Sequence, residues 1–204
     1  MFTGIVQAVG QIERAEELGF GRRLSIHAPK LGLDDVRIGD SIAVNGACMT
    51  VTSKTATQFT IDVSAESLSK TAGLDGRGEV NLEKSMRLGD RVDGHLVSGH
   101  VDGTGVVQVL EQHGESWLLV VQAGPELARY LAYKGSITVN GVSLTVNRVE
   151  DVAGEGAGCR FWINLIPHTM AVTTLGQLKA GDRVNLEVDM IARYVERMLA
   201  LQAN

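Results

Sequence analysis

One stretch occurs twice in this chain, and that repetition limits the possible folds more than any other feature. Residues 41–51 read SIAVNGACMTV and residues 136–146 read SITVNGVSLTV; at a constant shift of 95 positions they agree at Ser41/Ser136, Ile42/Ile137, Val44/Val139, Asn45/Asn140, Gly46/Gly141, Thr50/Thr145 and Val51/Val146. The chain is a tandem duplication and must fold as two like units. Each copy has the grammar of a β-hairpin: an alternating β-branched run meets Asn-Gly, which tolerates positive φ, and resumes as a second strand. Taken alone, the Asn-Gly pairs are structural. The polar residues just past the turn, Cys48 and Thr50 in one copy and Ser143 and Thr145 in the other, ask for more. They lie two apart, so each pair points to one face of its strand, where it is able to line a pocket.

A length of 204 residues suits two domains of about 100 residues each. The expected division is residues 1–96, residues 97–188 and a tail of residues 189–204. A formal net charge of −5 argues against nucleic acid and anionic membranes as partners. The opening MFTGIVQAVG has no basic segment followed by an apolar core, and no run approaches the about 20 apolar residues of a membrane span, so a cytoplasmic location is expected. Cys48 and Cys159 fall at unrelated places in the two repeats and suggest neither a disulfide framework nor a metal site.

In chain order, residues 2–12 read as an opening strand, with Gly4 and Gly10 as points of bulge or bend, and residues 97–107 repeat them with Ile5 changed to His100. Residues 22–27 and 116–122 are strands, residues 31–36 a turn or short helix, and residues 125–132 a helical turn opened by Pro125. Residues 58–63 and 160–166 are strands, the first followed by what starts as a capped helix over residues 64–70 and the second by its counterpart stretch, residues 167–173. Here the shift has grown to 102, which pairs Asp62 with Asn164 and Ser67 with Thr169; the insertion fits a longer exposed hairpin loop over residues 150–158. Val80-Asn81-Leu82-Glu83 repeats as Val184-Asn185-Leu186-Glu187 and closes each unit with a strand. Short strands, frequent glycine and brief helices predict an all-β fold of two tandem antiparallel barrels. In the tail, Ile191, Tyr194, Val195, Met198 and Leu199 recur with the period of one apolar helical face, to be buried on the chain's own barrel or in an oligomer.

MFTGIV at the start, the NGxCxTV hairpin, GHLVSGHVDG at residues 94–103, YKGSITVNGVSLTV at residues 133–146 and NLIPHT at residues 164–169 together resemble the α-subunit type of riboflavin synthase. The resemblance runs from Met1 to the terminal helix. It implies two six-stranded Greek-key barrels, a homotrimer with its active site between neighbouring subunits, and no cofactor or metal. It also implies a dismutation: two molecules of 6,7-dimethyl-8-ribityllumazine exchange a four-carbon unit to give riboflavin and 5-amino-6-(D-ribitylamino)uracil. Non-catalytic lumazine or flavin carriers share the motifs.

Carried over position by position, the resemblance puts the first barrel's ligand contacts at Gly4, Ile5 and Val6, at Cys48, Met49 and Thr50, and at Asp62, Val63, Ser64, Ala65, Glu66 and Ser67. In the second barrel they fall at Gly99, His100 and Val101, at Lys134, at Ser143, Leu144 and Thr145, and at Asn164, Leu165, Ile166, Pro167, His168 and Thr169. Ribityl hydroxyls need short polar partners, which Thr50, Asp62, Ser64, Thr145 and Asn164 supply. His100 is the first candidate for proton transfer, since an ordinary imidazole titrates near pH 6.5 and the sister repeat has isoleucine; the alternative is a hydrogen-bonded structural histidine. Cys48 is a nucleophile or a small pocket wall. Ser143 orients an activating water or binds the ring, with Thr145 beside it. Ser41, Lys134 and Asp189 are weaker candidates, Lys134 as a positive charge where an anion develops. His95 and His168 are read as structural. Two retained polar sets favour an enzyme over a carrier, and the length leaves no room for the nicotinamide-binding domain of a flavin oxidoreductase.

Overall fold

A computed structural model of the protein describes residues 1–154 and 156–202. In the first half, β1 (Ala8–Leu18), β2 (Gly21–His27), β3 (Ser41–Val44), β4 (Ala47–Lys54), β5 (Gln58–Ser64) and β6 (Gly78–Lys84) close into an antiparallel barrel of order β1-β2-β5-β4-β3-β6, with α1 (Ala65–Lys70) between β5 and β6 in the chain. The second half repeats it with β7 (Gly103–His113), β8 (Ser116–Ala123), β9 (Ser136–Val139), β10 (Val142–Val152), β11 (Gly158–Leu165) and β12 (Arg183–Val188), in the same cyclic order. Short helices α2 (Pro125–Ala128) and α3 (Pro167–Val172) decorate it, and α4 (Met190–Gln202) ends the described chain. Among the described residues no helix is long and apolar enough to cross a membrane.

Period-two patterning produces the barrels. Along β5, Phe59, Ile61 and Val63 are fully buried while Gln58, Thr60 and Asp62 between them are not, and β11 repeats this with Phe161, Ile163 and Leu165. Each such side chain contributes about 1.5–3 kcal/mol through burial. The duplication extends to irregularities: pairing slips between Ile12 and Arg14 in β1 and between Val107 and Val109 in β7, and between Val51 and Ser53 in β4 and between Val146 and Arg148 in β10. Bulges of this kind turn strands around small barrels.

Some expectations shift. The first strand begins at Ala8 instead of Phe2, and its bulge lies past Gly10, which is regularly paired with Val80. The expected loop over residues 150–158 is shorter, because β10 continues to Val152 and pairs with Gly158; Glu155 lies outside the described residues. Residues 31–36 form turns, and α2 stops at Ala128. Residues 203 and 204 of the expected tail also lie outside the described residues.

The Asn-Gly turns are not at the surface. Asn45 and Asn140 are buried with φ of 46° and 47°, and the two turns meet face to face where the barrels join. Asn81 Nδ2 donates to Asn140 O and Asn185 Nδ2 to Asn45 O, both at 2.9 Å, while Asn45 and Asn140 each accept a backbone N–H from Asn81 and Asn185 at 2.8 Å. A Cβ on Gly46 would sit 2.8 Å from the Gly141 nitrogen, so only glycine allows this approach. Buried amides satisfied in this way fix one relative placement of the barrels.

The segments that precede β1 and β7 leave their own barrels and cross. Phe2 and Val97, equivalent residues of the two repeats, pair with each other through N–H···O bonds of 2.8 and 3.0 Å. Beyond this bridge, Gly4 O accepts from Ser143 N and Gly99 O from Cys48 N, both at 2.7 Å. Val6 accordingly packs on the second barrel's core and Val101 on the first.

Helix α4 is attached by its polar side, through Arg193 to Asp102 at 2.6 Å and Arg129 to Glu196 at 3.0 Å. Its apolar stripe of Ile191, Tyr194, Val195, Met198 and Leu199 faces solvent instead of packing on the chain's own barrel.

Candidate functional site

Crossing decides which residues share a pocket, and it corrects the barrel assignment made from sequence. Gly4, Ile5 and Val6 lie at the second barrel's hairpin, and Gly99, His100 and Val101 at the first barrel's. The reason is steric as well as hydrogen-bonded. Gly4 and Gly99 have φ of +74° and +79°, and a Cβ on either would come within 2.7 Å of the Ser143 or Cys48 Cβ. Glycine lets each arm lie flat across a foreign strand.

The first pocket, a cleft of about 310 Å³ on the outside of the first barrel, is floored by Cys48 and Met49 of β4 and walled by Glu66, Ser67 and Lys70 of α1, with Gly99, His100 and Val101 as its rim. His100 is exposed, and its backbone N–H donates to Ser98 Oγ at 3.3 Å. Helix α1 begins where expected, with Ser64 Oγ accepting from Ser67 N at 3.1 Å, so the Ser64 hydroxyl is occupied as a cap. Ala65 is exposed at the first position of this helix, and Thr50 is exposed on β4 opposite Ser41. Three expected contacts are directed elsewhere. Val63 points into the core, Ser41 lines a separate cavity with Gln7 and Lys84, and Asp62 is engaged by Arg23 across the sheet through two bonds of 2.7 Å. That guanidinium holds the Asp62 carboxyl below the usual range.

The second pocket is a cleft of about 410 Å³ lined by Lys134, Ser143, Leu144, Thr145, Asn164, Leu165, Ile166 and Thr169, with Asn147 added to the expected set. Pro167 and His168 are exposed in the first turn of α3, beside it. Lys134 carries a left-handed backbone, φ 64°, where the first repeat has Gly39 at φ 94°. Such a conformation costs a side-chain-bearing residue about 1–3 kcal/mol and marks places where a side chain is needed. Its ammonium donates to Asn147 Oδ1 at 3.2 Å, at the mouth of the cleft. Asn164 faces Leu118 across the sheet, where the first barrel sets Asp62 against Arg23, so its amide is left to the cleft.

One residue gains a role that its motif position concealed. The His95 ring, read from sequence as structural, lies with Nδ1 2.7 Å from Ser143 Oγ. Burial lowers its pKa from 6.5, opposed by the charge of Asp189. The two clefts therefore differ in chemistry. The first offers a thiol, a carboxylate and the His100 imidazole, the second the amides of Asn147 and Asn164, and each also holds hydroxyls and one lysine. Both lie open to solvent on the barrel exteriors.

The chain matches the model of the lumazine binding domain twice, over residues 3–85 and 98–189. It is 46% identical over 205 residues to a riboflavin synthase of Mycobacterium bovis, with 98% of each chain covered. It is 43% identical over 202 residues to one of Actinobacillus pleuropneumoniae, covering 98% of this chain and 90% of that one. Among solved structures it is similar to LumP complexed with riboflavin, at a TM-score of 0.80 and 25% identity, and to LumP complexed with 6,7-dimethyl-8-(1'-D-ribityl) lumazine, at 0.77 and 25%; each comparison covers 92% of this chain and 99% of LumP.

Proposed function

The chain belongs to the lumazine binding domain family, and from that premise we propose that it acts as a riboflavin synthase, a transferase that dismutates two molecules of 6,7-dimethyl-8-ribityllumazine. A four-carbon unit passes from one molecule to the other, giving riboflavin and 5-amino-6-(D-ribitylamino)uracil. The observation that carries this reading is the pair of like clefts, each framed by the same strand-and-helix corner and each hydrogen-bonded at its hairpin by the arm of the other repeat.

One lumazine occupies each cleft. In the first, His100 takes the 7-methyl proton, and Cys48 flanks the ring. In the second, Ser143, bonded to His95, holds the water that adds at C7, and Lys134 offsets the negative charge that develops on the ring. The Gly4–Ile5–Val6 backbone faces the pyrimidine edge, and Thr145 and Asn164 receive ribityl hydroxyls. Stacking two such ligands replaces an encounter by a nearly unimolecular step, worth up to about 7–11 kcal/mol. For stacking, the clefts of different subunits must face one another. The exposed stripe of α4 supports a homotrimer with the site between neighbouring subunits.

Purified protein given the lumazine and no cofactor should form half a mole of riboflavin per mole consumed. The similarity to LumP supports a second reading, a carrier. Binding in the same assay with no riboflavin formed decides for the carrier.

A further inference from the structure

Each crossing arm is tied down by a buried carboxylate from the last strand of its own barrel. Glu187, 2% exposed on β12, accepts from Ser98 N at 2.7 Å and Ser98 Oγ at 2.6 Å on one oxygen, and from Gly99 N at 3.0 Å on the other. Ser98 Oγ in turn accepts the His100 backbone N–H. Glu83, 4% exposed on β6, repeats this with Thr3 N and Thr3 Oγ1 at 2.7 Å, Gly4 N at 3.0 Å, and Thr3 Oγ1 accepting Ile5 N at 3.2 Å. No ion pair accounts for either carboxylate among the described residues; their partners are the arms.

We propose that Glu187 is a positioning residue which, through the Ser98 hydroxyl, sets the place of His100 in the first pocket, and that Glu83 in the same way sets the Gly4–Ile5 arm against Ser143 of the second. The inference rests on the synthase reading and deepens it. A carboxylate with two acceptor oxygens suits three converging donors; a neutral amide does not, because its NH₂ meets the Gly99 N–H donor to donor. Burial raises the pKa of both groups, and the arm's backbone donors oppose that shift and favour the ionised, acceptor-only form. The sister clamps hold different cargo, the His100 imidazole in one case and the backbone that meets Ser143 in the other, so their loss should register differently.

The test is steady-state turnover of the lumazine by the full-length protein. Glu187→Gln should lower kcat at least tenfold with KM changed less than threefold, whereas Glu83→Gln should raise KM more than it lowers kcat. In a His100→Ala background Glu187→Gln should change kcat less than threefold, because the residue through which it acts is gone. Ser98→Ala should reproduce the loss, and Ser98→Thr, the residue that stands at position 3, should recover most of it. Full multiplication of the two effects in the double variant, or failure of threonine to rescue, overturns the proposal. Should Glu187→Gln not fold, the Ser98 pair and its cycle with His100→Ala decide alone. Wild-type protein that makes no riboflavin defeats the synthase reading itself, an outcome distinct from an active wild type with indifferent clamps.

Discussion

The two barrels are one scaffold with two chemistries. Strand order and both bulges coincide, and the clamp distances agree to within 0.1 Å. The repeats differ at many positions, and among these are cleft and arm residues: Ile5 against His100, Cys48 against Ser143, Gly39 against Lys134, and the Arg23–Asp62 pair against Leu118 and Asn164. One further change serves the tail. Gln7 Oε1 accepts from Lys84 N at 3.0 Å, and its counterpart Asp102 accepts from Val188 N at 2.9 Å and also binds Arg193 of α4. Through this divergence the repeats have kept the arm glycines Gly4 and Gly99, the turn pairs Asn45-Gly46 and Asn140-Gly141, and the clamp carboxylates Glu83 and Glu187. A pocket's framework tolerates exchange of its functional groups far better than exchange of its glycines and buried amides.

That contrast can be broken by making the halves alike. His100→Ile, which gives the first cleft the sister arm's residue, should cut kcat by about 10²–10⁴-fold while calorimetric binding of the lumazine persists; equal losses in rate and affinity would reduce His100 to a binding group. A smaller effect is expected for Lys134→Gly, which installs the first repeat's residue at the left-handed position. Thermal unfolding should show stability unchanged or raised by up to about 1 kcal/mol, since relief of strain outweighs the greater chain entropy of glycine, while turnover falls. Together these outcomes would mark Lys134 as held for its charge. The smallest effect concerns His95, which precedes the second repeat. Its folded pKa lies below its unfolded value of 6.5, so it takes up a proton more readily unfolded, and stability is lost as pH falls from 6.5 through the lowered value. Glu83 and Glu187 act with the opposite sign, their raised values costing stability as pH rises past 4.5. Subtracting the denaturation curves of His95→Gln from those of the wild type cancels the carboxylates and should leave an acid-side loss confined to the wild type.

Much of this was legible in the sequence, because a repeat with period-two patterning states its own strands. The hairpins, the capped helix at Ser64 and the closing strands fell where periodicity put them. The crossing was not legible. Pairing of Phe2 with Val97, or of Gly4 with Ser143, joins residues about 95 and 140 positions apart, and nothing in local alternation distinguishes an arm that stays from one that leaves. The same holds for His95, whose partner lies 48 residues away. Asp62 illustrates the converse: a carboxylate suited to sugar hydroxyls is claimed first by an arginine on the neighbouring strand, and only the register of β2 against β5 reveals it.

The exchanged arms also bear on how such a molecule came to be. A lone barrel of this design would own a cavity whose edge belongs to someone else, and it could finish that edge only by trading limbs with a twin. Fusion of two copies therefore made permanent a handshake that the unfused halves already needed, and afterwards each palm was free to acquire its own grip.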